Sequence, residues 1–164
     1  LDELTYEGYG PAGVAVMVQA LTDNRNRTAS DVKLAFSKHG GTLGSQGSVA
    51  YLFETKGVLV CTTDADTDEV TLAAIEAGAL DIDDSGEQVI IYTKPSELEA
   101  IRMAVGENNI ESSDVEQIAS QTIAVEDAGK AGTLMRMIDA LEDLDDVATV
   151  TANYDIAESI LESL

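Results

Sequence analysis

The sequence predicts an α+β protein built from two α/β-sandwich-like domains, one inserted into the other. Three observations lead there. The opening residues pattern as β-β-α-β, the middle of the chain patterns as a self-sufficient β-α-β-β-α-β, and a lone helix and strand follow that cannot fold alone. The two ends therefore complete each other around the middle, giving a discontinuous β-β-α-β…α-β domain from residues 1–56 and 122–164, with residues 57–121 as the insertion.

In the first part, Leu4–Glu7 and Val14–Thr22 pattern as strands. Val14, Ala15, Val16, Met17 and Val18 are apolar on both faces, as expected of a central strand. Thr28 and Asp31 have the spacing of a capping box, and Val32, Ala35, Phe36 and His39 recur at i, i+3, i+4, i+7 before Gly40-Gly41 ends the helix. A turn at Gly44–Gly47 leads to a strand over Val49–Phe53.

In the middle part, Val58–Thr62 is a strand, and a helix starting at Asp66–Glu69 runs through Leu72 and Ile75 to Gly78. Leu80–Asp83 and Gln88–Thr93 pair across Asp84-Ser85-Gly86-Glu87. Ser96 and Glu99 suggest a second capping box, Leu98, Ile101 and Val105 form the next buried stripe, and Ile110–Ala119 is a polar, edge-like strand. This order is that of ferredoxin-like folds. Beyond it lie a helix with Leu134, Ile138 and Leu141 on one face, a strand at Val147–Ala152 and a short helix from Ile156.

The net charge of −22 is unevenly spread. Residues 1–56 carry six acidic and five basic side chains, a balance of −1, which leaves −21 for residues 57–164. A polyanion is repelled by the later part, so any nucleic-acid surface is local or lies outside this chain. No apolar run reaches the length of a membrane span, and no membrane association is expected. The single cysteine, Cys61, rules out an internal disulfide framework and suits a reducing compartment. Leu1 rather than Met opens the sequence, which leads us to expect further residues upstream.

Few patterns suggest chemistry. Gly8-Tyr9-Gly10-Pro11-Ala12-Gly13 matches G-x-G-x-x-G, but a strand follows where a dinucleotide site needs a helix N-terminus. A glycine-rich loop with positive φ around Pro11 is expected instead, and no cofactor. Asp64-Ala65-Asp66-Thr67-Asp68 imitates a calcium loop but has Glu69 where glycine is needed, so no metal site is expected and the acids are assigned to a helix start. His39 and Cys61 are each expected in ordinary core positions, and no catalytic residues are assigned. The remaining candidate is Asp23-Asn24-Arg25-Asn26-Arg27-Thr28, where Asn24, Arg25, Asn26 and Arg27 stand before a helix N-terminus and Lys33 and Lys38 follow on the helix. Phosphate contacts favour these side chains and this location. The alternative is a solvated turn whose arginines pair with nearby acids.

Three segments carry a family resemblance. Tyr6-Glu7-Gly8-Tyr9-Gly10-Pro11-Ala12-Gly13, Asp23 to Thr28, and Gly47-Ser48-Val49-Ala50-Tyr51-Leu52-Phe53 resemble the hallmark segments of the YebC family, and Leu134–Asp146 resembles its C-terminal helix. In the first of these, Tyr6, Gly8, Tyr9, Gly10, Pro11 and Gly13 make up the family's loop motif, while Ala12 stands where the family often has another residue. The resemblance implies three domains, with a basic helical domain preceding the two read here. It implies a non-enzymatic regulator of gene expression, in the first place a DNA-binding transcriptional regulator. Alternatives are a translation factor on RNA or the ribosome, like the mitochondrial relatives that activate translation of a respiratory-chain subunit, and an acidic scaffold for protein partners. Nucleic acid is the expected partner, mainly through the preceding domain. The expected location is the bacterial cytoplasm or, alternatively, the mitochondrial matrix.

Overall fold

The computed structural model describes Leu1–Leu164. In chain order the elements are β1 (Asp2–Tyr9), β2 (Ala15–Thr22), α1 (Arg25–Lys38), β3 (Thr42–Leu43), β4 (Phe53–Cys61), α2 (Thr67–Ala77), β5 (Asp81–Asp83) and β6 (Ile90–Thr93). They continue with α3 (Leu98–Val105), β7 (Ile110–Ala119), β8 (Ile123–Ala124), α4 (Ala128–Glu142), β9 (Val147–Ala152), β10 (Tyr154–Asp155) and α5 (Glu158–Glu162). The backbone divides into two compact units, Leu1–Phe53 with Ala119–Leu164, and Glu54–Ile118.

The first unit is built on a sheet of order β3-β1-β2-β9. β1 and β2 are antiparallel with Tyr6 opposite Val18, and β9 runs antiparallel along the other edge of β2. The even residues of β2 (Val14 leads into Val16 and Val18) face a core with Val32 and Phe36 of α1 and with Leu134, Met137 and Leu141 of α4. The odd residues Ala15 and Met17 face a smaller cluster with Val49 and Phe53. β2 is thus buried on both sides, which is why its sequence lacks polar alternation. A parallel pair, β8 with β10, joins the returning chain to its last residues.

The second unit has sheet order β5-β6-β4-β7 and the connectivity βαββαβ, the ferredoxin-like arrangement. β6 is antiparallel to both β4 and β5. Leu59, Cys61 and Ile91 of the sheet pack with Val70 and Ala74 of α2 and Ile101 and Val105 of α3.

Several local expectations are corrected. α1 starts at Arg25, with Asn24 as its cap, so Thr28 is a buried residue of the first turn and not the capping residue. Val49–Phe53 is not a strand. Ala50–Leu52 forms a single 3-10 turn and β4 starts only at Phe53, while the strand after α1 is the short β3. On α2, for which the sequence assigned no buried face, Val70 and Ala74 are buried and Leu72 and Ile75 are exposed. Ser96 makes no cap bond; Pro95–Glu97 is a 3-10 turn leading into α3.

Candidate nucleic-acid interface

α1 begins where the sequence offers an amide at its cap. The Asn24 side chain accepts a hydrogen bond from the Arg27 backbone N–H at 3.1 Å, satisfying one orphan donor of the first turn. Asn24 is therefore spent on the backbone, and Arg25, Asn26 and Arg27 lie inside the first turn. The expectation that they precede the helix is corrected accordingly.

At about 100° per residue, these side chains do not share one face. Asn26 and Lys33, seven residues apart, lie on one exposed flank, together with Ser30 and Ser37. Arg27 and Lys38 lie on the opposite flank with Asp31. Arg25 stands near the Tyr6 phenol, whose pKa burial pushes up while the Arg25 charge pulls it down.

Arg27 is heavily engaged. Its Nε donates to Asp146 Oδ2 at 3.1 Å, and its Nη2 lies 3.0 Å from Asp146 Oδ1 and 3.0 Å from Asp23 Oδ1. Asp146 also accepts from the buried Thr28 hydroxyl at 2.8 Å. That hydroxyl and the Arg27 guanidinium hold the Asp146 carboxyl below its usual range, against the opposing effect of burial. Asp31, Asp143 and Asp145 line the same surface pocket, of about 580 Å³. A phosphate approaching Arg27 meets this ring of carboxylates. Arg25, Lys33 and Lys38 are exposed and stand outside the ion pairs formed by Arg27, Lys56 and Arg102.

The motif loop closes on itself. Gly10 N–H donates to the Val14 carbonyl at 2.8 Å, and Pro11–Gly13 forms one 3-10 turn. Positive φ occurs at Ala12 (65°) and Gly13 (76°) and not at Gly8 or Gly10, so only part of the expected role of the glycines holds. Gly8 and Gly10 are close-approach positions. A Cβ on Gly8 would lie 2.6 Å from the Thr42 carbonyl oxygen and 2.8 Å from the Phe36 ring, and one on Gly10 would lie 2.9 Å from Leu134 Cδ1. Tyr9 is partly exposed, and its hydroxyl donates to the Ser48 carbonyl at 3.3 Å. Tyr6 packs against the helix-side core.

Behind this loop lies a feature that the sequence did not announce. Glu7 is only 3 % exposed and has no cationic partner among the ion pairs. Its carboxylate instead accepts three backbone N–H bonds, from Gly47 at 2.6 Å, Val49 at 3.0 Å and Ala50 at 2.6 Å. Burial pushes the carboxyl up, but the three donors together outweigh it and hold its pKa below the usual value. Asn153, also buried, accepts from Ala15 N–H at 2.8 Å and ties the end of β9 to β2. Glu7 was visible only as a motif member, and Asp146 only as one acid in an acidic run.

Of the two residues expected in core positions, Cys61 is in the core, whereas His39 is half-buried at a helix end. His39 caps the end of α1, its Nδ1 lying 2.8 Å from the Ala35 carbonyl oxygen. Cys61 is buried in the core of the second unit, and burial pushes its thiol up. Asp66 caps α2 by accepting from Glu69 N–H at 3.1 Å, the role expected for the acids there. No helix is long and apolar enough to cross a membrane.

Comparison with known proteins agrees with this architecture. The family model described as the TACO1/YebC second and third domain matches residues 1–154. A probable transcriptional regulatory protein of Rubrobacter xylanophilus is 50 % identical over 163 residues, covering 98 % of this chain and 65 % of its own. One of Moorella thermoacetica is 46 % identical over 168 residues, covering 99 % and 67 %. The crystal structure of a conserved hypothetical protein from Aquifex aeolicus superposes with a TM-score of 0.87 at 44 % identity, covering 98 % of this chain and 67 % of that one. The chain thus spans about two thirds of the length of the relatives it matches, 65 % of the first. The matched span takes in both units, and the hallmark segments at Tyr6–Gly13, Asp23–Thr28 and Gly47–Phe53 all lie within it. The chain belongs to the TACO1/YebC family.

Proposed function

We propose that this chain is part of a non-enzymatic regulator of gene expression that acts on nucleic acid, in the first place as a DNA-binding transcriptional regulator. The observation that carries the choice of surface is the division of α1. Arg27 is bound up with carboxylates, whereas Arg25 and Lys33 extend into solvent outside any recorded ion pair. The names of the relatives, probable transcriptional regulatory proteins, support the class. Their bacterial origin supports action in the cytoplasm.

With a net charge of −22, this chain contributes few phosphate contacts, and we assign the main electrostatic anchor to a basic domain outside it. Arg25 at the helix start and Lys33 further along supplement that anchor, and Asn26 on the Lys33 flank offers an amide for hydrogen bonding. A second reading, a translation factor on RNA, is favoured by one observation, the solvent-exposed ring of Tyr51.

The test is the salt dependence of binding in the full-length protein, with duplex DNA and structured RNA compared. Arg25→Ala with Lys33→Ala should weaken binding and reduce the slope of log K against log salt by up to about two, one per phosphate contact. An unchanged slope overturns the assignment of these two side chains.

A further inference from the structure

Tyr51 is 73 % exposed, although it sits in one of the most tightly held turns of the first unit. The residues on either side of it anchor inward. Val49 is fully buried and Phe53 nearly so, both against Ala15 and Met17. The buried Glu7 carboxylate grips Gly47, Val49 and Ala50 from below, the Leu52 N–H donates to Val49 at 2.9 Å, and the Leu52 carbonyl accepts from Ser120 N–H at 2.8 Å. The Tyr9 hydroxyl holds Ser48 from the side. A charged group has been buried to fix a turn, and that turn holds an aromatic ring in water. The core gains nothing from this ring, and the anchored residues on either side hold it in place.

The electrostatics of the surroundings favour one kind of contact. Gly8–Thr22, His39–Phe53 and Gln117–Val125, the segments that meet around the turn, contain no Asp, Glu, Lys or Arg. In a chain of net charge −22 this is a local gap in exposed acidic side chains, the one carboxylate beneath it, Glu7, being buried and bonded to three N–H groups of the turn. The exposed neighbours Ser45, Gln46 and Gln121 are polar hydrogen-bonding groups. A protein hot spot is ordinarily ringed by residues that exclude water, which glycine, serine and glutamine do poorly. A nucleobase needs only a π-face and polar groups for its edge.

We propose that the Gly47–Leu52 turn is a stacking platform on which Tyr51 receives an unpaired base of a single-stranded nucleic acid, with Gln46 and Gln121 available to the base edge. This rests on the nucleic-acid reading above and adds a second contact, distinct from the phosphate-facing side chains of α1. Stacked bases are inaccessible in a duplex, so the platform selects single strands, loops or ends.

The test is photocrosslinking of the full-length protein at low ionic strength to single-stranded RNA carrying 4-thiouridine. Single-stranded DNA carrying 4-thiothymidine and the corresponding duplexes are run in parallel. We expect adducts on Tyr51 with single strands and not with duplexes, and the RNA and DNA arms tell which strand supplies the base. Tyr51→Ala should lower the yield about tenfold, as loss of one stacked base does, and Tyr51→Phe, which keeps the ring, should hold it within about twofold. Adducts on α1 with a yield indifferent to Tyr51→Ala overturn the platform and leave the nucleic-acid reading standing. Equal crosslinking of duplexes at Tyr51 overturns the selection for unpaired bases. No adduct with any strand overturns both readings and leaves the ring to a protein contact.

Discussion

Replacing Glu7 by Gln removes one charge and almost no volume, so it isolates what the buried carboxylate does. Oε1 accepts from Val49 and Ala50, and a glutamine carbonyl can keep both bonds. Each is demoted from charge-assisted to neutral, a loss of about 1 kcal/mol apiece. The other oxygen faces the Gly47 N–H at 2.6 Å, where the glutamine would present an NH2 to another donor. Leaving that N–H without an acceptor costs about a further 1–3 kcal/mol, and flipping the amide exposes two donors instead of one. The sum is about 3–5 kcal/mol. For a unit of about 100 residues this lowers Tm by roughly 15–25 °C. Calorimetric melting measures it, and amide exchange at Val49 and Ala50 should speed up in the variant.

The pH dependence provides a second check. The folded-state pKa of Glu7 lies below its unfolded value, so its stabilisation is complete above the unfolded pKa and fades as pH falls through the folded one. Between neutrality and the acid side of the carboxylate range, the parent should therefore lose more Tm than Glu7→Gln does. A variant melting within about 3 °C of the parent at neutral pH, with the same acid sensitivity, would refute the reasoning.

Two further outcomes follow from the geometry. Arg27→Ala and Asp146→Asn should each lower Tm by a few degrees, with a less than additive loss in the double variant, because both remove the Arg27–Asp146 pair between α1 and the segment before β9; fully additive losses in a thermal double-mutant cycle would contradict that. Residues 54–118 should fold when expressed alone, and joining Phe53 to Ala119 by a short linker should leave a folded remainder, because Ser120 N–H already bonds to Leu52. Amide dispersion in NMR spectra of the two pieces measures this, and a collapsed spectrum from either would count against the division.

The architecture was legible because its signals are local. The two-sided apolar run of β2 and the βαββαβ order of the second unit follow from periodicity and turn residues alone. What was misread depends on distant partners. Val49–Phe53 carries a strand-like composition, but a carboxylate forty residues earlier captures its amide groups and bends it. The start of α1 was put late because its apolar rhythm begins only at Val32, and because Thr28, which suits a cap, donates instead to Asp146. The buried face of α2 was left unassigned, because the helix is apolar around most of its circumference and periodicity does not single out Val70 and Ala74. At the candidate site, the cationic side chains were legible but their partners were not. One acid in the run Glu142–Asp146 commits Arg27, and no spacing in the sequence indicates which.

The discontinuous sheet has a consequence for how this chain folds during synthesis. Residues 54–118 have all their strands and helices within one continuous stretch and can close as soon as they emerge from the ribosome. Residues 1–53 emerge earlier but must wait for α4 and β9, which cover Val14, Val16 and Val18 and pair with the outer edge of β2. Until then a hydrophobic strand stands with one edge and much of one face unprotected, the condition that invites intermolecular pairing. Residues 1–53 are thus translated before the insertion but become native after it, and slow elongation between residues 119 and 152 would lengthen the period of exposure.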